Sequence, residues 1–248
     1  MSFAAFNALH KPGDPLVLFN IWDTASAQAV SAAGAKALAT GSWSVAAAHG
    51  YEDTQALPLD LHLTIVSRIA ATCALPLTVD FEAGYASSAE QIAANVTRLK
   101  ATGAVGMNFE DTIHFAPGLT DAADQCARIK AIRAATGPEF FINARTDVFL
   151  ESPEPDTHAQ LLPQAIDRAA AYADHGASGL FLPGLKDPDL IAKACEALPL
   201  PVNVLAYPDG PDRATLASCG VARISHGPFP MRAMLDTLQT VAHTALHG

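Results

Sequence analysis

The sequence predicts a closed (β/α)8 barrel of the TIM type, a single domain over residues 1–248, and three observations carry that prediction. Eight short apolar runs alternate with longer segments of helical period. The runs are continuous rather than alternating, as expected of parallel strands covered on both faces. At 248 residues, with no break in composition, the chain has the length of one such barrel. An open doubly wound sheet uses the same repeating unit. However, the segment after the first run, LFNIWDTASA, lacks the G-x-G-x-x-G turn that such a sheet uses for dinucleotides.

Taken in order, the candidate strands are 16–20 (LVLFN), 36–40 (KALAT), 76–80 (PLTVD), 105–109 (VGMNF), 140–144 (FFINA), 178–182 (SGLFL), 201–205 (PVNVL) and 221–224 (VARI). The helices between them have readable ends. Pro58 opens one with a stripe of Leu61, Ile65 and Ile69. Ser87 with Glu90 reads as a capping box ahead of Ile92, Val96 and Leu99, and Gly103 stops that helix. Segment 120–136 ends at Gly137-Pro138, and Asp187-Pro188 caps a helix carrying Leu190, Ala194 and Leu198. The last segment sets Met231, Leu235, Leu238, Val241 and Leu246 at roughly helical spacing.

Composition limits the partners. Half the residues are hydrophobic and 16% are charged, enough for a sizeable core without staples. A net charge of −10 argues against nucleic acid or an anionic membrane as partner. The longest stretch without a charged side chain, 37–51, falls short of the ~20 apolar residues that span a bilayer. The first residues lack the basic start and apolar run of a signal peptide, so the expected location is cytoplasmic. Cys73, Cys126, Cys195 and Cys219 follow no metal spacing and read as small hydrophobes of a reducing compartment.

In a parallel barrel the active site lies at the carboxyl ends of the strands. There the sequence places Asn20 and Asp23, then Ser42 and Trp43, Asp80 and Glu82, Asn108, Glu110 and Asp111, and finally Asn143, Arg145 and Asp147. Two loops at that end, 41–57 and 146–157, are long enough to act as lids. Asp80 and Glu82 share a side by the strand period, and Glu110 ends the next strand. Three like charges converging near the axis require a cation or protons, and an oxygen-only donor set points to Mg²⁺ or Mn²⁺. Arg145 is then the fork for a substrate carboxylate, with a structural ion pair to Asp147 as the competing reading. His49 and His114 on the loops, and His226 after the last strand, are candidate proton carriers.

The blocks FNIWDTASAQAV-SAAGAKALATGSWSVAAAHGYED, LPLTVDFEAGY, AVGMNFED and FFINARTDVF resemble, in order and spacing, the isocitrate lyase / phosphoenolpyruvate mutase superfamily over roughly residues 16–230. The resemblance implies a (β/α)8 barrel whose eighth helix is exchanged between subunits of a homodimer or homotetramer. It implies a Mg²⁺ site for 2-oxo acids or their enolates, with Asp80 as direct ligand and Glu82 and Glu110 acting through water. Arg145 is implied as the carboxylate ligand, Asp53 as the acid on the loop after strand two, and Gly41-Ser42-Trp43 as the turn offering N–H groups to the substrate.

The departures narrow this reading. The family's lyases carry a K-[KR]-C-G-H lid whose cysteine does acid–base work, whereas here the segment is DTIHFAPGLTDAAD. The mutases' lid asparagine is missing, and Pro183 replaces their histidine after strand six. The expected function is therefore a Mg²⁺-dependent lyase that cleaves or decarboxylates a small 2-oxo carboxylate through an enolate. The alternatives are a phosphonopyruvate-type C–P mutase or hydrolase, or a 2-oxo-acid binding protein without catalysis.

Overall fold

The computed structural model describes residues 2–114, 116–152 and 154–248. In chain order its elements are α1 (Phe3–Asn7), β1 (Leu16–Leu18), α2 (Thr24–Ala32), β2 (Leu38–Ala39), α3 (Ser42–Ala48), α4 (Leu59–Thr72), β3 (Leu77–Asp80), α5 (Ala89–Ala101), β4 (Gly106–Glu110) and α6 (Ala122–Thr136). There follow β5 (Phe141–Arg145), a 3-10 turn (Pro155–Thr157), α7 (His158–Asp174), β6 (Gly179–Phe181), α8 (Pro188–Ala197), β7 (Val202–Leu205), α9 (Arg213–Ser218), β8 (Arg223–Ser225) and α10 (Phe229–His247).

All eight expected strands form, every pairing is parallel, and the order β1-β8-β7-β6-β5-β4-β3-β2 wraps the sheet round an axis. The seam between β1 and β2 closes just beyond the strands, by an Ile21–Thr40 bridge with Ile21 N donating to Ala39 O at 2.8 Å. Asn20 reinforces the seam. Its amide donates to Thr40 O at 2.8 Å, while its Oδ1 accepts from the N–H groups of His226 and Gly227 at 2.9 and 2.8 Å. One side chain thus ties the ends of three strands, as the fold class requires of a closed barrel.

Most helix ends agree with the sequence. Pro58 and Asp187 stand at N-caps, and Gly103 and Gly137 take positive φ at helix ends. The capping box assigned to Ser87 and Glu90 is replaced by a simple N-cap one residue on. Ser88 is the extended N-cap of α5, and its Oγ accepts from Gln91 N at 3.2 Å. The stripe on α8 also turns by one position, with Ile191 and Ala194 buried and Leu190 half-buried. The segment read as a long loop after β2 contains α3, so Ser42 and Trp43 open a short helix rather than sit in a simple turn.

The main core lies between the sheet and its helices and includes Val79, Met107, Phe109, Ile142, Leu180, Val204 and Ile224. A second cluster plugs the amino-terminal end of the barrel, where Phe6 of α1 meets Leu16, Leu18, Ala39 and Phe141. Phe141 needs glycine on both neighbours. A Cβ on Gly106 would lie 2.6 Å from Phe141 Cβ, and one on Gly179 would lie 2.9 Å from its ring. Above this plug the lumen turns polar. Asn108, Asn143, Asn203, Arg223 and Ser225 are all buried there, and Arg223 of β8 donates to Asn108 Oδ1 of β4 at 3.0 Å. Those strands are not neighbours, so this bond spans the barrel interior and forms a floor beneath the site.

Candidate active site

Asp80 is the last residue of β3 and stands half-buried on that floor. Its backbone N–H donates to Thr40 Oγ1 at 3.0 Å, which ties the strand end to β2. Its Oδ2 accepts from Ser42 N at 3.2 Å and from Ser42 Oγ at 2.9 Å, and its Oδ1 accepts from Asn108 Nδ2 at 3.2 Å. Both carboxylate oxygens are therefore oriented. One backbone N–H of the GSW segment is also already committed to the protein.

Because β3 ends at Asp80, the strand period does not extend to Glu82, which takes φ +49. Glu82 is buried, and it accepts from Tyr85 OH at 2.7 Å and from Gln55 N at 2.7 Å. Gln55 Oε1 in turn accepts from Tyr85 N at 2.5 Å. Gln55, Glu82 and Tyr85 are also the three non-glycine residues with positive φ among the described residues. Backbone strain of this kind persists where surrounding bonds over-determine it. Here the bonds clamp the loop carrying Asp53 onto the end of β3. Burial, with the charges of Glu110 and Asp53, pushes the Glu82 carboxyl up to about 7 against the pull of Tyr85 and Gln55.

Glu110 ends β4, and the register sets it directly beside Arg145 at the end of β5. Its Oε2 lies 2.7 Å from Arg145 Nη1 and its Oε1 lies 2.9 Å from His114 Nε2. Burial raises the Glu110 pKa despite Arg145 and His114. For His114, burial acts downward but is outweighed by Glu110 and Glu82, so its pKa rises too. Arg145 forks onto Asp147 through Nε–Oδ1 at 2.5 Å and Nη2–Oδ2 at 2.7 Å. Thr112 also donates to Asp147, whose N–H donates to Asp111 Oδ1 at 3.0 Å. Asp111 is fully buried and accepts from Arg168 Nε at 3.0 Å and Tyr172 OH at 2.7 Å. A strut thus runs from α7 to the Arg145 guanidinium.

Two adjoining cavities of about 220 and 240 Å³ share Ser42, Asp53 and Arg145 as walls. The first opens onto Asp80, Asn108, Trp43 and Arg232, and the second onto Glu82, Glu110 and His114. Asp53 stands at the rim, where partial desolvation and then the Asp80 charge raise its pKa against the Ser42 hydroxyl. Trp43 carries the Arg232 guanidinium 4.7 Å above its ring. His49 lies apart from this group. It is exposed and its Nδ1 sits 2.9 Å from Val45 O, within its own helix. His226 packs beside Phe19, and burial lowers its pKa. Cys126 is buried on α6, as the stripe with Ile129 and Ile132 requires, and burial raises its thiol pKa.

Among the described residues no three His, Cys, Asp or Glu side chains converge closely enough to hold an ion directly. Asp80 and Glu82 open onto different cavities, so they suit a small hard cation bound to one carboxylate and otherwise to water. The donor chemistry fits Mg²⁺ in that mode.

The sequence profile of phosphoenolpyruvate phosphomutase matches residues 6–246. The chain belongs to that family, within the phosphoenolpyruvate mutase / isocitrate lyase superfamily. It is 30% identical to 2-methylisocitrate lyase of Escherichia coli over 93% of this chain and 79% of the relative. A Burkholderia cenocepacia crystal structure provisionally called a phosphonomutase matches with TM-score 0.93 and 45% identity, covering 97% of this chain and 98% of that one. Phosphonopyruvate hydrolase in complex with oxalate and Mg²⁺ matches with TM-score 0.86 over 98% of this chain and 87% of that one. At 22% identity the hydrolase shows the shared fold. The family reading of the sequence motifs is therefore correct.

A pH-dependent stability follows from Glu82. Its folded pKa, about 7, exceeds the ordinary value of 4.5, so the folded protein holds a proton that the unfolded chain has released. Stability must then fall as pH rises from about 4.5 to about 7, by on the order of 3 kcal/mol at 1.36 kcal/mol per pH unit. Glu82→Gln is expected to raise the urea midpoint at pH 8 and leave it nearly unchanged at pH 5. Both measurements are made with chelator present. Equal shifts at the two pH values would refute this account.

Proposed function

We propose that the chain is a Mg²⁺-dependent lyase that breaks a C–C bond in a small 2-oxo dicarboxylate, by retro-aldol cleavage or decarboxylation. The observation that supports it best is Asp80, its two oxygens oriented by Ser42 and Asn108, on the wall of a cavity that also presents Arg145 and Arg232. Asp80 would hold the ion directly, with Glu82 and Glu110 reaching it through water. When bound, the ion supplies positive charge where an enolate develops.

The residues of the chain do the rest. Arg145 has one nitrogen on Glu110 and two on Asp147, so a substrate carboxylate displaces Glu110 while Asp147 keeps the guanidinium aimed. Arg232, stacked on Trp43 across the cavity, meets the second carboxylate. Bond cleavage leaves an electron pair on the carbon next to the keto group, delocalised onto the keto oxygen as an enolate, and expels carbon dioxide or a carbonyl fragment. A proton must then reach that carbon. Asp53 is placed to carry it because it faces both cavities and its pKa is raised. His114, paired to Glu110, holds a second proton. In a retro-aldol step it is the group that takes the substrate's hydroxyl proton, after releasing its own to Glu110.

The test is a screen of 2-oxo mono- and dicarboxylates for carbon dioxide and carbonyl products, with Mg²⁺ and with chelator. Turnover of a dicarboxylate that chelator abolishes is the expected result. Binding without turnover at saturating Mg²⁺ would instead mark a non-catalytic binder. The provisional phosphonomutase relative supports a second reading, C–P bond chemistry, which release of phosphate from phosphonopyruvate would reveal.

The reading includes an oligomer. Helix α10 leaves Leu238, Val241 and Leu246 at 58, 61 and 75% exposure, with only Pro230 and Met231 of that helix buried. Beside β1 a groove of about 490 Å³ lies open, where Leu16, Val17, Phe19 and Val30 stand among the charged Lys11, Asp14, Lys36 and Arg213. An exposed stripe and an open groove on one chain fit reciprocal exchange of α10 between two copies. Light scattering is expected to give a dimer or tetramer. Leu238→Glu with Val241→Glu should shift it toward monomer, whereas a wild-type monomer at micromolar concentration would exclude exchange.

A further inference from the structure

Arg223 is an anomaly of the barrel interior. It is 1% exposed, its guanidinium makes no ion pair among the described residues, and its Nη1 has no hydrogen-bond partner there. Burying a cation this way is costly, since a buried charge normally keeps a carboxylate or a full set of acceptors. Burial lowers its pKa to about 9 even though the Asp80 charge acts in the opposite direction. Removing such a residue should cost the fold little. A buried, unpaired cation at this position therefore calls for a role in the site above.

The bonds it does make define that role. Arg223 Nη2 donates to Asn108 Oδ1 at 3.0 Å, and Asn143 Nδ2 donates to the same oxygen at 2.9 Å. Arg223 Nε also reaches Ser225 Oγ at 3.4 Å, and Asn203 Nδ2 donates to that hydroxyl at 3.1 Å. An amide can sit in either of two flipped states. With two donors on its oxygen, Asn108 has one choice, which turns its Nδ2 toward Asp80 Oδ1 at 3.2 Å. In the flipped state the amide oxygen would face the carboxylate and repel it. We infer that Arg223 is a positioning residue, acting through Asn108 to fix the Asp80 carboxylate for its ligand. Its effect on catalysis rests on the lyase reading, whereas the amide lock itself does not.

The lock is tested by selective ¹⁵N-asparagine labelling, with Asn108 assigned by its loss in Asn108→Ser. In wild-type protein the Asn108 side-chain NH₂ should exchange with solvent at least tenfold more slowly than that of exposed Asn7. Equal rates would overturn the inference whatever the variants do. Arg223→Met should unfold at the wild-type temperature or above it, yet lose tenfold or more of that protection. Arg223→Gln, which keeps a donor but no charge, should retain most of it. A folded Arg223→Met protein with protection within twofold of wild type would also overturn the lock.

Once a substrate is known, Arg223→Met should lower kcat/KM at least thirtyfold. Adding it to Asn108→Ala should cost no more than a further threefold, because both act on one bond. Additive losses would place Arg223 outside the Asn108 path. Failure to find any substrate would sink the lyase reading and leave the exchange measurement standing.

Discussion

Asp80→Ala is expected to reduce kcat by about a thousandfold or more, some 4 kcal/mol of barrier, and to remove calorimetric Mg²⁺ binding. The same variant should remain folded. Asp80 sits half-buried at a strand end rather than in the apolar core, and its partners Ser42 and Asn108 face a cavity where water can replace it. The loss of acceptors for those donors is therefore offset by hydration, and removing one negative charge eases the crowding around Asp53. Asp80→Asn sharpens the test, because it keeps the shape and one acceptor while losing the charge. If charge at this position is what matters, the two variants should be equally inactive. Normal Mg²⁺ affinity in Asp80→Ala would remove the basis of the metal reading.

The parts of this site that were legible in the sequence are those that interrupt an apolar run. PLTVD, VGMNF with its following Glu110, and FFINA with its following Arg145 each end in charge, and each charge stands at the carboxyl end of a strand. The contacts between those residues were not legible. That Glu110 stands beside Arg145 depends on the register between β4 and β5, which no local pattern encodes. Asp111, Arg168 and Tyr172 meet only because α7, packed against β5 and β6, sends both side chains to Asp111 just past the end of β4. The polar floor left a signal that was read only in part. MNF, INA and VNV each place an asparagine between apolar neighbours, and ARI places an arginine there. One polar residue inside a strand with apolar residues on either side is the period-two mark of a polar lumen. Asn108 and Asn143 are read as strand-end candidates, whereas Asn203 and Arg223 are counted within continuous apolar runs. Helix α3 and the one-residue shift to Ser88 were missed for a different reason: SWSVAAA is too short to show an apolar stripe, and the adjacent Ser87 and Ser88 are equally good N-caps by residue type.

Arg145→Met should be almost as damaging to activity as loss of Asp80, and unlike that loss it should also damage the fold. The guanidinium satisfies Glu110 and Asp147 together, both of them buried, so its removal leaves Asp147 without a counter-charge and Glu110 with His114 alone. Breaking a buried pair from one side costs about 3–5 kcal/mol. The penalty should depend on pH in a fixed direction. Glu110 already has a raised pKa held in check by Arg145, and without that cation it should rise further. A protonated carboxyl no longer requires the missing charge, so the destabilisation should be largest at pH 8 and shrink toward pH 5. Arg145→Lys separates structure from chemistry. Lysine restores a positive charge but not the fork that spans Glu110 and Asp147, so much of the stability should return. If the guanidinium must release Glu110 to take a substrate carboxylate while Asp147 keeps it aimed, kcat/KM should stay about a hundredfold below wild type, with most of the change in KM. An Arg145→Lys enzyme within fivefold of wild type would mean that the guanidinium serves the barrel rather than the substrate.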